Sequence, residues 1–343
     1  MKPVLWLNLI YAAVIAAISL SYRTGADRFW LGALNLYLPQ VMWAVPGIIL
    51  VAATWKTERT WVWLPLCLLL WVIGPVMGYN IPPNRGQGEA SGVPIRVMTW
   101  NIKYGKHDLM PLVEEMERSR PDIVLFQDAV RAGGGPLAGY FRDWHLRSQG
   151  QYLVASRYPL TAAEVHELPY SGRGKEYFLR CKVRVGSSEV SVYDVHFKTP
   201  RRSLNAFRKA KHGPWYLPKA IQRFEDNVSL RLAQAMTVAG YLARETGPVL
   251  VAGDMNSPDP SLVCRTLREA GLTDAFAAAG TGYGYTYGHF LLRNRIPWLR
   301  LSWMRIDHIM TNSWLTASRC WVGTGRASDH RPVVADFFLK DSP

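Results

Sequence analysis

The chain runs to 343 residues, enough for two or three ordinary domains, and carries 40 Lys and Arg against 26 Asp and Glu, a formal net charge of +14. The charge is uneven: residues 1–94 hold six Lys/Arg and three Asp/Glu, a net of +3, and the remainder a net of +11, which excludes a chain built for one solvent throughout. Four cysteines without metal-ligand spacing exclude a disulfide framework and a cysteine metal site.

Residues 3–22 are uncharged, and at about 1.5 Å per residue such a run just spans a hydrocarbon core of roughly 30 Å. Further uncharged runs cover 29–55 and 61–84, separated by RTGADR and KTER. Three transmembrane helices are therefore expected at about 3–22, 29–55 and 61–84, forming an anchor over residues 1–84. The later spans and the missing small-residue cleavage site argue against a secretory signal. Pro39 and Pro46 predict a kink in the second span, and the Trp and Tyr of the spans read as interfacial anchors. Lys2, Lys56 and Arg59 fall on one side, Arg23, Arg28, Arg85 and Arg96 on the other. The first helix, led by Lys2 and the terminal amine, then orients a multi-pass membrane protein with its soluble part outside the cytoplasm.

A Pro- and Gly-rich stretch over 80–94, NIPPNRGQGEASGVP, supplies a linker at 85–93. Beyond it short apolar strands alternate with helical segments. Strands are expected at Ile95–Ile102, Asp122–Gln127, Tyr152–Ser156, Tyr177–Val185, Glu189–Phe197, Val249–Ala252, Arg305–Met310 and Val333–Phe338. Helices are expected at His107–Ser119, Ala220–Arg244 and just after Pro260. Two stretches break this rhythm and read as inserted loops. Residues 201–227 hold seven Lys/Arg against two acids, with Phe207, Trp215 and Tyr216 among them. Residues 287–303 hold three arginines, no acid and four aromatics, Trp298 and Trp303 included.

Six strand ends finish in polar residues of one kind: Trp100-Asn101, Gln127-Asp128, Asp194-Val195-His196, Gly253-Asp254-Met255-Asn256, Arg305-Ile306-Asp307-His308 and Ser328-Asp329-His330. Singly, each is an ordinary turn. Together they supply hard oxygen ligands, imidazoles and a carboxylate for proton transfer, which suits hydrolysis of a phosphoester by an activated water near a cation. No Ser, Cys or P-loop nucleophile motif competes. Arg157, Arg173, Arg180 and Arg231 lack a surrounding motif and read as solvated or structural, as do His107, His145, His166, His212 and His289.

The ordered series TWNI, PDIVLFQD, VASRYPL, DVHF, GDMN, RIDHI and SDHRPV resembles the endonuclease/exonuclease/phosphatase superfamily over residues 94–343. That family includes nonspecific DNases, abasic-site endonucleases, inositol polyphosphate phosphatases and neutral sphingomyelinases. The resemblance implies an α/β fold, a DNase I-like four-layered α-β-β-α sandwich, here preceded by three transmembrane α-helices. It implies that Asn101, Asp128 and Asp329 hold Mg²⁺ or Mn²⁺, that Asp254 orients or deprotonates the attacking water, and that Asn256 and His196 contact the phosphate. His330 would stabilise the developing charge, with Asp307 fixing its tautomer. One position departs: the family carries Glu where this chain has Asp128, one methylene shorter.

A basic soluble part suits an anionic substrate, either a nucleic acid or a phospholipid headgroup, and tethering favours whatever lies at the membrane. The expected activity is metal-dependent hydrolysis of a phosphodiester. The alternatives are a phosphomonoesterase, or a non-catalytic module binding anionic lipid. The bilayer is the expected partner, with no protein partner.

Overall fold

The computed structural model describes residues 2–83, 92–105, 109–130, 132, 136–172, 174–208, 213–288 and 301–341. The linker residues 84–91, the loop residues 289–300 with Trp298, and His107, Arg173, His212 and His289 lie outside the described residues.

The N-terminal region forms α1 (Pro3–Thr24), α2 (Trp30–Leu36), α3 (Ala44–Thr57) and α4 (Trp63–Trp71). Two helices, Pro3–Thr24 and Arg59–Val76, are long and apolar enough to cross a membrane. The run expected as a single kinked second span is instead broken. Trp30–Leu36 and Gln40–Thr57 meet at 107°, so a third span exists only if both arms count as one. The corner has a local cause. Pro39 has no N–H for a continuing helix and disfavours helical backbone before it, and the Gln40 amide closes the turn on the carbonyls of Asn35 and Leu38. The last apolar run also stops early, leaving the helix in a wide turn at Val72–Val76 that contains Pro75.

The remaining elements are β1 (Val93–Asn101), α5 (Met110–Ser119), β2 (Ile123–Gln127), α6 (Pro136–Tyr140), β3 (His145–Gln149), β4 (Tyr152–Ser156), β5 (Leu160–Leu168), β6 (Glu176–Val185), β7 (Ser188–His196), α7 (Arg201–Phe207), α8 (Leu217–Leu242), β8 (Val249–Asp254), α9 (Leu262–Glu269), β9 (Thr273–Asp274), α10 (Ala275–Ala279), β10 (Asp307–Thr311), β11 (Leu315–Val322) and β12 (Val333–Leu339). They form two six-stranded sheets, ordered β11-β12-β1-β2-β4-β3 and β5-β6-β7-β8-β10-β9. Basic segment 201–227, read as a loop up to the expected helix at Ala220, is helical also at Arg201–Phe207 and from Leu217. It supplies α7 and the first turns of α8, with Phe207 and Phe224 packed edge to face.

Period-two alternation explains the layering. From β1, Ile95 and Val97 point between the sheets, where they meet Leu125, Val154, Val192 and Leu250. Met98 and Trp100 point the other way, towards Leu112 and Met116 of α5. On the second sheet Tyr193, Val195 and Val251 pack outward against Ala235 and Val238 of α8 and Val263 of α9. Both faces of the central strands are covered, so their sequences read as continuous apolar runs. The result is the expected four layers, helix, sheet, sheet, helix.

Candidate active site

Strand register assembles the polar ends. β7 and β8 run parallel with His196 opposite Asp254, and β8 and β10 run antiparallel with Asp254 opposite Asp307. On the other sheet β1 and β2 end together, Asn101 opposite Gln127. Gly253 is required where it stands. Its φ is +144°, and a Cβ there would lie 1.9 Å from the Val195 carbonyl oxygen, so only glycine lets β8 pass close enough to β7 to set Asp254 beside His196.

Seven of the eight expected residues line one cavity of about 550 Å³: Asn101, Asp128, His196, Asp254, Asn256, Asp329 and His330. Asp307 sits behind His330, its carboxylate 2.9 Å from Nδ1. Bonding to that acceptor puts the proton on Nδ1 and leaves Nε2 3.7 Å from Asp254 Oδ2. His196 Nε2 approaches the same oxygen at 3.5 Å, while its Nδ1 bonds Gln151 Oε1 at 2.8 Å. The Asp254 carboxylate is held at both oxygens, by Asn101 Nδ2 (3.0 Å) and by the Asn256 backbone N–H (2.9 Å). Asn256 is pinned in turn through Nδ2 to the Phe197 carbonyl (2.9 Å).

Electrostatics follow burial and neighbours. Burial lifts the Asp254 carboxyl above the usual carboxylate range, Asp307 adds to this, and His330 and His196 oppose it. Burial alone would lower His330, but Asp307 and Asp254 outweigh it and hold the imidazole up at about 10, so it is charged at neutral pH. Asp329 moves the other way: despite burial, His330, Lys103 and Arg201 hold it below the usual range.

Among the described residues Asp254, Asp307 and His330 come close enough to share an ion, as do Asp259, Asp274 and His308. Neither set is the better cage. The first is a hydrogen-bonded His–Asp pair plus the buried carboxylate, and in the second Arg305 already supplies the cation, bonding Asp274 at 2.8 Å and Asp259 at 2.8 Å. The expected set, an amide oxygen and two carboxylates of Asn101, Asp128 and Asp329, also lines the cavity and offers hard oxygen donors, with Asp329 paired to Lys103 at 2.8 Å. Asp128 takes a positive φ of 50°, a turn conformation that Asp tolerates.

Several residues of this site carried no motif. Lys103 pairs with Asp329 at 2.8 Å, and Arg201 reaches it at 3.5 Å. Tyr287 lies over His330, ring centroids 4.7 Å apart. Gln151 orients His196 from the β3–β4 turn. Lys103 lies two residues past Asn101, and Arg201 and Tyr287 open the two basic, aromatic segments 201–227 and 287–303 that follow or precede site strands. Tyr37, expected at a membrane interface, is buried against the sandwich and lines the cavity, because the broken helix turns it inward. The isolated arginines are structural: Arg180 pairs with Glu245 (2.8 Å), Arg231 is buried on the Lys198 carbonyl (3.0 Å), and Arg157 lies over Trp144. Gln127 ties the sheets together beneath the site, donating to Asp194 (2.6 Å) and Thr99 (3.0 Å).

A sequence profile described as Endonuclease/Exonuclease/phosphatase family matches residues 98–330. No curated protein matches the chain. Among solved structures it is similar to an endonuclease/exonuclease/phosphatase from Beutenbergia cavernae, with 21% identity over 73% of this chain and 72% of that one and a TM-score of 0.53. Truncated Caenorhabditis elegans TDP2 gives 20% identity, 73% and 100% coverage and a TM-score of 0.53. D. rerio TDP2 complexed with single strand DNA product gives 16%, 71% and 98%, and 0.52. At these identities the likeness is one of fold.

Proposed function

Because the chain belongs to the endonuclease/exonuclease/phosphatase family, it is a divalent-metal-dependent hydrolase of phosphoester bonds, and we propose that it cleaves a phosphodiester of a phospholipid or nucleic acid while anchored in a membrane by its N-terminal helices. The observation that carries this reading is the convergence of seven polar strand-end residues, from both sheets, in one cavity.

In this mechanism Asn101, Asp128 and Asp329 hold Mg²⁺ or Mn²⁺, whose charge offsets that of the phosphate oxygens. Asp254, proton-hungry through burial and fixed at both oxygens, takes the proton of the attacking water. Asn256 has one amide N–H on Phe197 and offers the second to a phosphate oxygen. His196, oriented by Gln151, binds the phosphate from β7. The His330 imidazolium, held by Asp307, donates Nε2–H to the charge that develops as the bond to the leaving oxygen breaks. Nucleic acid stays within the reading because one structural neighbour is a complex with single strand DNA product. The two apolar helices favour a substrate at the bilayer.

The test is hydrolysis of bis-p-nitrophenyl phosphate by the purified chain with Mg²⁺ or Mn²⁺, beside His330→Ala and an EDTA control. Metal-dependent turnover that the variant loses is expected. A folded protein inert with either ion would sink the phosphodiesterase reading and turn attention to monoesters or to lipid binding.

A further inference from the structure

Between α1 and α3 the chain does not hang free but folds back along the sandwich. Asp27 Oδ1 accepts the Leu262 N–H at 2.7 Å, Arg265 donates to the Arg23 carbonyl at 2.6 Å, and Trp30 stacks on Phe207 with centroids 6.2 Å apart. Trp303 Nε1 donates to the Tyr37 carbonyl at 3.3 Å. The faces of this elbow differ. Phe29 and Leu31 are 76% and 62% exposed, whereas Ala33, Leu36 and Tyr37 are buried with Phe224, Met304 and Ile306.

Tyr37 reaches the catalytic residues. Its ring lines the catalytic cavity, and its hydroxyl donates to the Asn256 carbonyl at 2.9 Å. Asn256 has a φ of +48°, a left-handed conformation that a residue with a side chain keeps when its surroundings hold it there. The Asn256 N–H on Asp254 and the Asn256 amide on Phe197 hold it from the sandwich, and the Tyr37 hydroxyl holds it from the elbow. The cavity is also two-sided in chemistry. Beside the polar strand ends stand Tyr37, Leu204, Met304 and Ile306, which a phosphate and its metal have no use for.

We propose that Tyr37 is a positioning and specificity residue: its hydroxyl fixes Asn256 and, through it, the Asp254 carboxylate, while its ring completes an apolar wall that takes the hydrocarbon part of an amphiphilic phosphoester. This rests on the phosphoesterase reading above and deepens it by naming the substrate class. The elbow presents Phe29 and Leu31 outward on one face and Tyr37 to the cavity on the other, joining the apolar anchor to the apolar wall.

The experiment uses the full chain in detergent micelles with Mg²⁺, on methyl p-nitrophenyl phosphate, dodecyl p-nitrophenyl phosphate and a single-stranded oligonucleotide. Wild type, Tyr37→Phe, Tyr37→Ala, Leu204→Ala and Asp254→Ala are compared. Tyr37→Phe keeps the ring and loses one hydrogen bond, so kcat falls by about three- to tenfold on both esters with KM unchanged and the melting temperature lowered by only a few degrees. Tyr37→Ala and Leu204→Ala raise KM for the dodecyl ester by about tenfold, the effect of some two buried methylenes, and leave KM for the methyl ester where it was. Tyr37→Phe turning over like wild type, while Asp254→Ala is inactive, overturns the positioning role and leaves the phosphoesterase reading standing. Equal effects of the alanine variants on KM for both esters, or a higher kcat/KM on the oligonucleotide than on the dodecyl ester, overturn the substrate class. A wild type inert on all three substrates overturns the reading beneath the proposal.

Discussion

Asp307 and His308 are neighbours on β10 and face opposite sides of the sheet, and each is half of a buried His–Asp pair. Asp307 supports His330, whose far nitrogen opens on the cavity 3.7 Å from Asp254. His308 bonds Asp274 at 3.0 Å and the Ser257 carbonyl at 3.0 Å, so both its nitrogens are occupied. Asp274 also takes Arg305 on both oxygens and caps α10 through the Ala277 N–H. Although burial opposes it, Arg305 and His308 hold the Asp274 carboxyl well below its usual range. One strand thus carries the same two residue types in two states. Where every donor and acceptor is matched, the pair is structural. Where one imidazole nitrogen faces a cavity beside a second buried carboxylate, the pair can do chemistry.

The largest effect should come from the open face. Asp254→Ala removes the proposed base, and turnover should fall by about 10²- to 10⁴-fold with melting temperature nearly kept, measured on bis-p-nitrophenyl phosphate at saturating metal. Retained turnover would move the base elsewhere. Arg305→Met should do the reverse. Stripping the guanidinium takes from the buried Asp274 the cation on both its oxygens, while half-exposed Asp259 keeps Arg268, at a cost of up to about 3–5 kcal/mol of stability by urea denaturation, with turnover per folded molecule close to wild type. If Arg305→Met instead lost turnover with stability intact, the distinction between the two faces of β10 would collapse.

A third prediction separates ion holding from proton transfer. The proposed metal ligands all hang from the first sheet, Asn101 ending β1, Asp128 following β2 and Asp329 preceding β12; Asp254, the proposed base, and His196, the proposed phosphate ligand, end strands of the second. Asp128→Ala should raise the Mg²⁺ concentration for half-maximal rate by about tenfold or more and restore most of kcat at saturating metal. Asp128→Glu lengthens the ligand by the methylene that family members carry, and a lower half-saturating Mg²⁺ is expected. If kcat of Asp128→Ala stayed low at any metal concentration, Asp128 would belong with Asp254.

Much of this was legible in order of residues because it lies at strand ends. A buried strand announces itself by an apolar run, and the polar residues that end or follow it must sit at the edge of the sandwich, which makes Asn101, Asp128, His196 and Asp254 legible; Asp329 and His330 lead into β12 and are legible from the SDHRPV series. The strands that escaped notice lie at or near sheet margins. β3, HLRSQ, is exposed throughout, and β5, LTAAEVHEL, is exposed at most positions, so neither shows an apolar period. The broken helix was missed for the opposite reason. Residues 29–55 are apolar on both arms, and nothing in hydropathy distinguishes an arm facing lipid from one that buries Leu36 and Tyr37 against a protein. The paired role of Arg305 and Asp274 was invisible because the partners are 31 residues apart with no motif between them.

The smallest prediction uses a closed pair remote from β10. Glu245, just past α8, accepts from Arg180 Nε (2.8 Å), Ser191 Oγ (2.9 Å) and the Tyr193 hydroxyl, pinning the helix to β6 and β7. Burial pushes its carboxyl up, but these donors and the Arg180 charge outweigh it and bring it down to about 2. A folded value below the unfolded one of about 4.3 means that the stabilisation is fully present above that pH and drains away as pH falls towards 2. Glu245→Gln should therefore cost about 1–2 kcal/mol near neutrality and progressively less in acid, so that the two stability curves converge below pH 4. Turnover at neutral pH should not change, because a pair with every group matched is the state that His308 shares and His330 does not. Parallel stability curves down to pH 2 would show that the ion pair adds nothing, and that shape complementarity alone holds α8 to the sheet.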